Sequence, residues 1–220
     1  MEETAMWLQH WLANDAALWL RILLATGAGY LLGAIPMGYL AGKAWGVDVT
    51  KTASGRTGGT NVWRATGKAL PPLLTVLGDV AKGVAAVLLA RYFLHSELAA
   101  AAAGAAAVMG HNWSVLLGFR GGAGGVTAGA ALLALSPLAA AVVVPLAIVA
   151  LYLSRYASVG TLTVAVGGAV VLGVLALVAP ATQVSVHLIF GLASAAAVVI
   201  SLRPNLKRLV AGTERRITLW

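Results

Sequence analysis

A glycine-rich stretch between two apolar segments, GHNWSVLLGFRGGAGGVT at residues 110–127, contains residue types that can bind an anion. Glycines let the backbone approach a ligand closely, and successive N–H groups at the start of a helix bind phosphate. The stretch therefore predicts a phosphate site, although glycines also let membrane helices pack closely. The candidate phosphate-binding residues are Arg120, Gly121, Gly122, Gly124, Gly125 and Thr127.

Two polar residues, His111 and Asn112, stand near the beginning of the same stretch. Imidazole can carry a proton near neutral pH, but a histidine at the end of an interfacial helix serves equally often as a hydrogen-bond partner. We predict that both residues contribute hydrogen bonds to the site, and we do not assign His111 as a general base.

The longest polar stretch, GVDVTKTASGRTGGTNVWRATGK at residues 46–68, combines hydroxyl, amide and guanidinium groups on a glycine-rich backbone. These groups suit a phosphorylated polyol, since arginine binds phosphate through two parallel hydrogen bonds. An ordinary turn-rich loop on the basic side of a membrane is the alternative. The candidate binding residues are Ser54, Gly55, Arg56, Thr60, Asn61 and Arg64.

Asp79 and Lys82 lie three residues apart in an otherwise apolar segment. This spacing places them on one face of a helix, where they can form an ion pair. Ionisable residues inside a membrane are functional candidates, so Lys82 joins the candidate phosphate-binding residues. A structural clamp made by the pair alone explains the spacing equally well.

The composition is that of a membrane protein, because 60% of the 220 residues are hydrophobic and 10% are charged, with a mean hydropathy of +0.89. The apolar stretches are continuous rather than alternating, so we predict an all-α integral membrane protein that forms one domain over residues 1–220. The lack of cysteine excludes disulfides and thiol nucleophiles. The N-terminus begins acidic and lacks the basic segment of a signal peptide, so we expect the whole chain to be mature.

Six apolar segments are long enough to be predicted as membrane spans. Pro36 in the first predicts a kink, whose freed carbonyl needs a partner inside the protein, and Trp7, Trp11 and Trp19 suit a membrane interface. The tail at 201–220 is too polar to span. The predicted spans are residues 17–41, 70–93, 98–117, 126–152, 161–178 and 184–200.

The segment 126–152 can cross the membrane once or twice, because Ser136-Pro137 interrupts it. All but two of the 15 Lys and Arg fall on the side of the polar stretch, the glycine-rich stretch and the tail, the exceptions being Arg21 and Arg91. By the positive-inside rule this side is cytoplasmic and the N-terminus is outside, which requires an odd number of crossings. We predict about seven transmembrane helices, some short or broken, and five remains the alternative.

Several strings of the chain, in order, resemble the bacterial acyl-phosphate-dependent glycerol-3-phosphate acyltransferases of the PlsY type. They are GAIPMGYLAGK, DVTKTASGRTGGTNVWRATG, GDVAKG, GHNWSVLLGFRGGAGGVT, RYASVG and NLKRLVAGTE. The resemblance implies a multi-pass enzyme of the bacterial inner membrane, with seven helices and an active site facing the cytoplasm. Its reaction moves a fatty acyl group from acyl phosphate to the 1-position of glycerol 3-phosphate, forming lysophosphatidic acid for phospholipid biosynthesis. It also implies coupling to an enzyme that forms acyl phosphate, with no cofactor, metal or nucleic acid.

The same resemblance assigns roles to residues. Ser54 and Arg64 correspond to substrate residues of the first family motif, 120–127 to its phosphate loop, and Asn205, with Glu214 further along, to the third motif. The candidate catalytic residues are Ser54, Arg64, His111 and Asn205. The family is thought to use the phosphate of the donor to accept the hydroxyl proton, so the protein's work is mainly positioning and anion stabilisation.

The chain departs from the family pattern at three positions. Arg56 stands where the family has asparagine, Ala123 where it has lysine, and Leu202 where it has histidine. Two of these changes remove groups that could face phosphate, and Arg56 can restore one positive charge. The departures keep two other functions open: a catalytically impaired relative that binds or scaffolds lipid precursors, and, more weakly, an organic-phosphate transporter.

Overall fold

The computed structural model describes residues 2–178 and 182–218, and within this range the elements are ten α-helices and two short 3-10 turns. Side chains are described for 15–178 and 185–218, so the predicted interfacial positions of Trp7 and Trp11 lie outside them. The helices are α1 Glu2–Ala34, α2 Met37–Ala44, α3 Gly59–Thr66, α4 Leu70–Leu94, α5 Glu97–Asn112, α6 Gly125–Leu135, α7 Pro137–Ser154, α8 Ala157–Val178, α9 Thr182–Ser201 and α10 Arg203–Val210.

The break between α1 and α2 confirms the kink predicted at Pro36. Proline lacks an N–H group and cannot continue the helical hydrogen-bond ladder. The carbonyl of Ile35 at the break accepts hydrogen bonds from Lys82 Nζ and from the backbone N–H of Met37, both at 3.0 Å. A cation from α4 therefore satisfies the backbone where the first apolar segment is interrupted.

The alanine-rich helix α5 lies at the centre of the bundle, with α1, α4 and α9 packed around it. Gly29 and Gly33 of α1 touch its backbone so closely that a Cβ on either would overlap the main chain of Ala103 or Ala107. Small residues on both helices allow this approach. The helix ends at Asn112, five residues before the predicted end at 117, because the chain turns there into a short 3-10 segment, Val115–Leu117.

The apolar segment predicted at 126–152 forms two helices, α6 and α7. The break between them falls at Ser136-Pro137, where the interpretation with two crossings placed the turn. The Ser136 hydroxyl accepts a hydrogen bond from the N–H of Ala139, and Pro137 occupies the first turn of α7. The 11 residues of α6 extend about 16 Å, roughly half of a bilayer core.

Among the residues that the structure describes, four helical segments are long and apolar enough to cross a membrane: Asp15–Ala44, Leu70–Leu94, Pro137–Ser154 and Ala157–Val178. A fifth is added if Ser185–Ser201 and α10, bent by 62° relative to each other, count as one broken span. Large apolar side chains face outward along these helices, and those of Leu23 and Leu177 are 68% and 84% exposed. An all-helical fold with four or five candidate membrane spans is confirmed, whereas seven crossings and the orientation of the termini stay predictions.

Candidate active site

A cavity of about 140 Å³ opens where the polar stretch, the start of α6, the start of α8 and the C-terminal residues meet. Nine of the predicted site residues line it, and together they supply hydroxyl, amide, imidazole and guanidinium groups. These are Ser54, Arg56, Thr60, Asn61, Arg64, His111, Gly124, Gly125 and Asn205. The fold thus brings residues that are up to 151 positions apart in the chain onto one cavity.

The N-terminus of α6 forms one wall of this cavity. Gly124 has a φ of +82° and directs the chain into the helix, which begins at Gly125, and both residues line the cavity with Val126. The first N–H groups of a helix have no partner inside it. These N–H groups and the positive end of the helix dipole suit an anion in the cavity.

Gly121 and Gly122 have a packing role that the sequence alone did not separate from anion binding. A Cβ on Gly121 would overlap the carbonyl of His111, and a Cβ on Gly122 would overlap its ring nitrogen Nε2. The N–H of Gly122 donates to the His111 carbonyl at 2.9 Å. Only glycine, which has no side chain, fits at these two positions against the end of α5.

Arg56 joins three parts of the chain through its guanidinium. Nη1 donates to the carbonyl of Gly122 at 2.9 Å and to the hydroxyl of Ser201 at 3.0 Å. Nη2 donates to the Ser201 carbonyl at 2.6 Å and to Oδ1 of Asn205 at 3.2 Å. Burial, and then the neighbouring Arg208, lower the pKa of Arg56. These two nitrogens donate to four acceptors within the protein, so Arg56 stabilises the cavity wall.

Asn61 holds the polar stretch in shape beneath the cavity. Its Oδ1 accepts from the N–H of Ser54 at 3.1 Å, and its Nδ2 donates to the carbonyls of Val49 and Arg56 at 2.9 and 2.8 Å. The side chain is buried, and its hydrogen bonds are all to backbone groups of its own stretch. Gly55 adopts a φ of +69° in this turn, and the exposed Ser54 is left on the cavity wall.

Arg64 of α3 reaches the last residues of the chain across the cavity mouth. Its Nη2 donates to the carbonyl of Arg216 at 3.0 Å and to that of Arg215 at 3.5 Å. Burial, and then the charge of Arg215, lower the pKa of Arg64. Among the described residues, Nε and Nη1 of Arg64 have no protein acceptor, so part of the guanidinium remains available to a ligand.

Residues 212–217, the C-terminal strap, run along the cavity. The carboxylate of Glu214 accepts from Nδ2 of Asn205 and from Nε of Arg208, both at 2.8 Å. The N–H of Ile217 donates to the carbonyl of Arg155 at 2.7 Å, and the Ile217 side chain is buried. The strap is thereby attached both to α10 and to the α7–α8 connection.

The pair predicted between Asp79 and Lys82 is present, with Nζ of Lys82 2.9 Å from Oδ1 of Asp79. His111 adds a third member, since its Nδ1 lies 3.2 Å from the same oxygen, although the contacts to that oxygen lack good hydrogen-bond angles. Asp79 and His111 line the cavity and Lys82 does not. Lys82 is buried behind them, where it also binds the Ile35 carbonyl.

The comparisons with known proteins identify the family of the chain. A family model described as Glycerol-3-phosphate acyltransferase matches residues 23–212. The glycerol-3-phosphate acyltransferase 1 of Deinococcus radiodurans is 42% identical over 198 residues, covering 90% of this chain and 96% of the relative. A glycerol-3-phosphate acyltransferase of Thermus thermophilus is 41% identical over 202 residues, covering 92% and 96%. The chain belongs to the glycerol-3-phosphate acyltransferase family.

The acyltransferase is also similar in structure to PlsY, an integral membrane glycerol 3-phosphate acyltransferase. The crystal structure of the glycerol 3-phosphate form gives a TM-score of 0.78 at 30% identity, covering 89% of this chain and 95% of that one. The lysophosphatidic acid form gives a TM-score of 0.76 with the same identity and coverage. The predicted family, membrane fold and glycerol-3-phosphate acyltransferase activity are confirmed.

Seven predicted site residues of the acyltransferase do not line the cavity. Arg120 is exposed, and its backbone pairs with Ser114 at the base of the glycine-rich stretch. Asn112 is buried and donates to the Ala197 carbonyl at 3.3 Å, and Thr127 is buried in the first turn of α6. The seven are Gly55, Lys82, Asn112, Arg120, Gly121, Gly122 and Thr127.

Sequence reasoning missed several groups that line the cavity. Ser158 and Thr161 come from the first turns of α8, and Arg215 comes from the strap. Two hydroxyls three residues apart at the start of an apolar helix were a usable signal, because that spacing places them on one face. Ala123 and Leu202, two of the departures from the family pattern, also line the cavity and make part of its wall apolar.

Proposed function

We propose that the enzyme uses the residues of this cavity to transfer a fatty acyl group from acyl phosphate to the 1-hydroxyl of glycerol 3-phosphate, forming lysophosphatidic acid. The observation that carries the proposal is the pairing of the α6 N-terminus with the partly unoccupied guanidinium of Arg64 on one cavity. Two anion-binding groups of this kind suit an acyl transfer between two phosphorylated substrates. The glycerol 3-phosphate and lysophosphatidic acid forms of PlsY support the identity of acceptor and product.

Arg64 and Ser54 bind glycerol 3-phosphate in this proposal, and the backbone at Gly124 and Gly125 binds the phosphate of the donor. Asn205 holds the wall, since it accepts from Arg56 and donates to Glu214. His111 supports the glycine-rich stretch, with one ring nitrogen towards Asp79 and the other against Gly122. Arg120 and Lys82 act outside the cavity, as a surface cation and as the partner of Asp79.

The reaction needs little acid–base help from the protein. The 1-hydroxyl oxygen attacks the acyl carbonyl, the new ester bond forms, and the bond from that carbon to the phosphate oxygen breaks. The departing phosphate takes the hydroxyl proton, which balances the step. Asp79 is paired with Lys82 and is therefore a poor base, so the residues here position both substrates and stabilise their negative charge.

The same proposal places the chain in the bacterial inner membrane with seven crossings, the N-terminus outside and the C-terminus in the cytoplasm. The break between α6 and α7 supports two crossings by the segment 126–152. Four arginines line the cavity, which agrees with a cytoplasmic site under the positive-inside rule. An enzyme that forms acyl phosphate supplies the donor, and membrane lipids surround the apolar helices.

The test uses the purified protein in detergent with labelled glycerol 3-phosphate and palmitoyl phosphate. We expect labelled lysophosphatidic acid from the wild type and a loss of at least about 100-fold in kcat/KM for Arg64→Ala, because a guanidinium that contacts phosphate is removed. Lys68→Ala is the matched control, since Lys68 is an exposed cation of the same stretch outside the cavity. Product from palmitoyl-CoA but not from palmitoyl phosphate would contradict the proposed donor. Binding of glycerol 3-phosphate without any turnover would favour the scaffold function.

A further inference from the structure

The C-terminal strap holds Arg215 at the cavity while its other residues are attached to the protein. Glu214 binds Asn205 and Arg208, and Nε of Arg216 donates to the hydroxyl of Tyr156 at 3.1 Å. Ile217 is anchored on the α7–α8 connection. Arg215 lines the cavity between these attachments. Its backbone carbonyl accepts a hydrogen bond from Arg64.

The arginines of the cavity differ in how many of their hydrogen bonds and ion pairs are made within the protein. Arg56 has four protein acceptors, and Arg208 is paired with the carboxylate of Glu214. The glycine-rich stretch contributes no cationic side chain, since Ala123 is apolar and Arg120 lies outside. Within the described residues, no hydrogen bond or ion pair engages the Arg215 side chain.

Arg64 and Arg215 both line the cavity, and Nη2 of Arg64 lies 3.5 Å from the backbone carbonyl of Arg215. Burial lowers the pKa of Arg64 first, and repulsion by the charge of Arg215 lowers it further, partly offset by the charge of Glu214. A doubly charged phosphate between the two guanidiniums removes the repulsion and gains charge-assisted hydrogen bonds from both.

We propose that Arg215 binds the phosphate of glycerol 3-phosphate together with Arg64, so that the C-terminal strap forms part of the acceptor site. This inference rests on the proposed function. It assigns Arg215 to the acceptor rather than the donor because Arg215 adjoins Arg64, whereas the α6 N-terminus forms a separate wall. The strap thus supplies a cationic side chain that the glycine-rich stretch lacks.

The experiment measures KM for glycerol 3-phosphate and for palmitoyl phosphate separately in Arg215→Ala and Arg215→Lys. We expect Arg215→Ala to raise KM for glycerol 3-phosphate about five- to tenfold, which is modest because the side chain is exposed. KM for palmitoyl phosphate stays within about twofold. Arg215→Lys gives an intermediate value, since it keeps the charge but loses the planar fork. Lys207→Ala, which removes an exposed cation of α10 outside the cavity, leaves both constants unchanged.

An unchanged KM for glycerol 3-phosphate in an active Arg215→Ala protein would overturn the inference and leave the proposed function intact. A rise confined to palmitoyl phosphate would also overturn it, because Arg215 would then serve the donor. If the wild type forms no product, the proposed function fails, and calorimetric titration with glycerol 3-phosphate still tests Arg215: weaker binding by the alanine variant supports the inference and equal binding refutes it. Melting temperatures show whether the variants stay folded.

Discussion

Two charged clusters lie towards opposite ends of α4 and α5, and they use their charges differently. At one end, Arg91 holds Glu97 through two hydrogen bonds of 2.6 and 2.9 Å and donates a third to the Ala134 carbonyl at 2.8 Å. Nε2 of His187 lies 2.9 Å from the same carboxylate. At the other end, beside the cavity, Arg64 donates from Nη2 alone, and the Arg215 side chain has no partner among the described residues.

This difference is the one expected between a structural clamp and the proposed binding site. In the Arg91 cluster the carboxylate of Glu97 binds both the guanidinium of Arg91 and the imidazole of His187. Together with the hydrogen bond to Ala134, these contacts join α4, α5, α6 and α9. Around the cavity the arginines outnumber the carboxylates. The carboxylates are also already paired, Glu214 with Arg208 and Asp79 with Lys82. Excess positive charge at a cavity favours an anionic ligand there, which agrees with the proposed phosphate sites.

The largest effect that tests this comparison is expected from Gly124→Ala. Gly124 has a φ of +82°, and an added Cβ would lie 2.5 Å from Oδ1 of Asn112. The change therefore strains the backbone and displaces the α6 N-terminus, and we expect kcat/KM to fall by at least about 100-fold. Gly27→Ala in α1, where an added Cβ meets nothing within 4 Å, is the control. Full activity of Gly124→Ala would show that the α6 N-terminus does not bind substrate.

A smaller effect is expected from replacing each bracing arginine by lysine. Arg91→Lys and Arg56→Lys both keep the charge and lose the planar fork, so both lower the melting temperature by a few degrees. We expect only Arg56→Lys to lower kcat/KM, by about tenfold, because Arg56 holds Gly122 and Asn205 at the cavity. Thermal unfolding and steady-state kinetics on the two variants measure this. An equal loss of activity in Arg91→Lys would remove the distinction between clamp and site.

The smallest effect is expected from two buried serines, Ser158 and Ser194, whose hydroxyls lack a hydrogen-bond partner among the described residues. Ser158 lines the cavity and Ser194 does not. We expect Ser158→Ala to raise KM for one of the two substrates about threefold, because a hydroxyl that can bind substrate is lost. Ser194→Ala removes an unsatisfied group and leaves the kinetics unchanged. Identical kinetics in the two variants would exclude a substrate contact by Ser158.

The predictions that depend on local rules agree with the structure. The second span, predicted at 70–93, is α4 at Leu70–Leu94, because apolar length and proline at the first turn define it without reference to the rest of the fold. The Asp79–Lys82 contact follows from a spacing of three residues on one helix. The helix start after the glycine-rich stretch follows from glycine at a left-handed position.

The predictions that depend on distant partners needed the tertiary structure. Arg120 adjoins the glycines in sequence yet lies outside the cavity, whereas Arg215 is 95 positions further along and lines it. Arg56 carries a charge that the sequence suggests for substrate, but its acceptors at Gly122, Ser201 and Asn205 become visible only once the chain is folded.

The sequence by itself determined that this is a helical membrane protein and to which family it belongs. These properties follow from composition, helical spacing and the order of motifs, all of which are local or linear along the chain. The tertiary structure alone decided which cations remain free to bind a ligand. A guanidinium's availability depends on the acceptors around it, and here those acceptors come from helices and a strap that are far apart in the sequence.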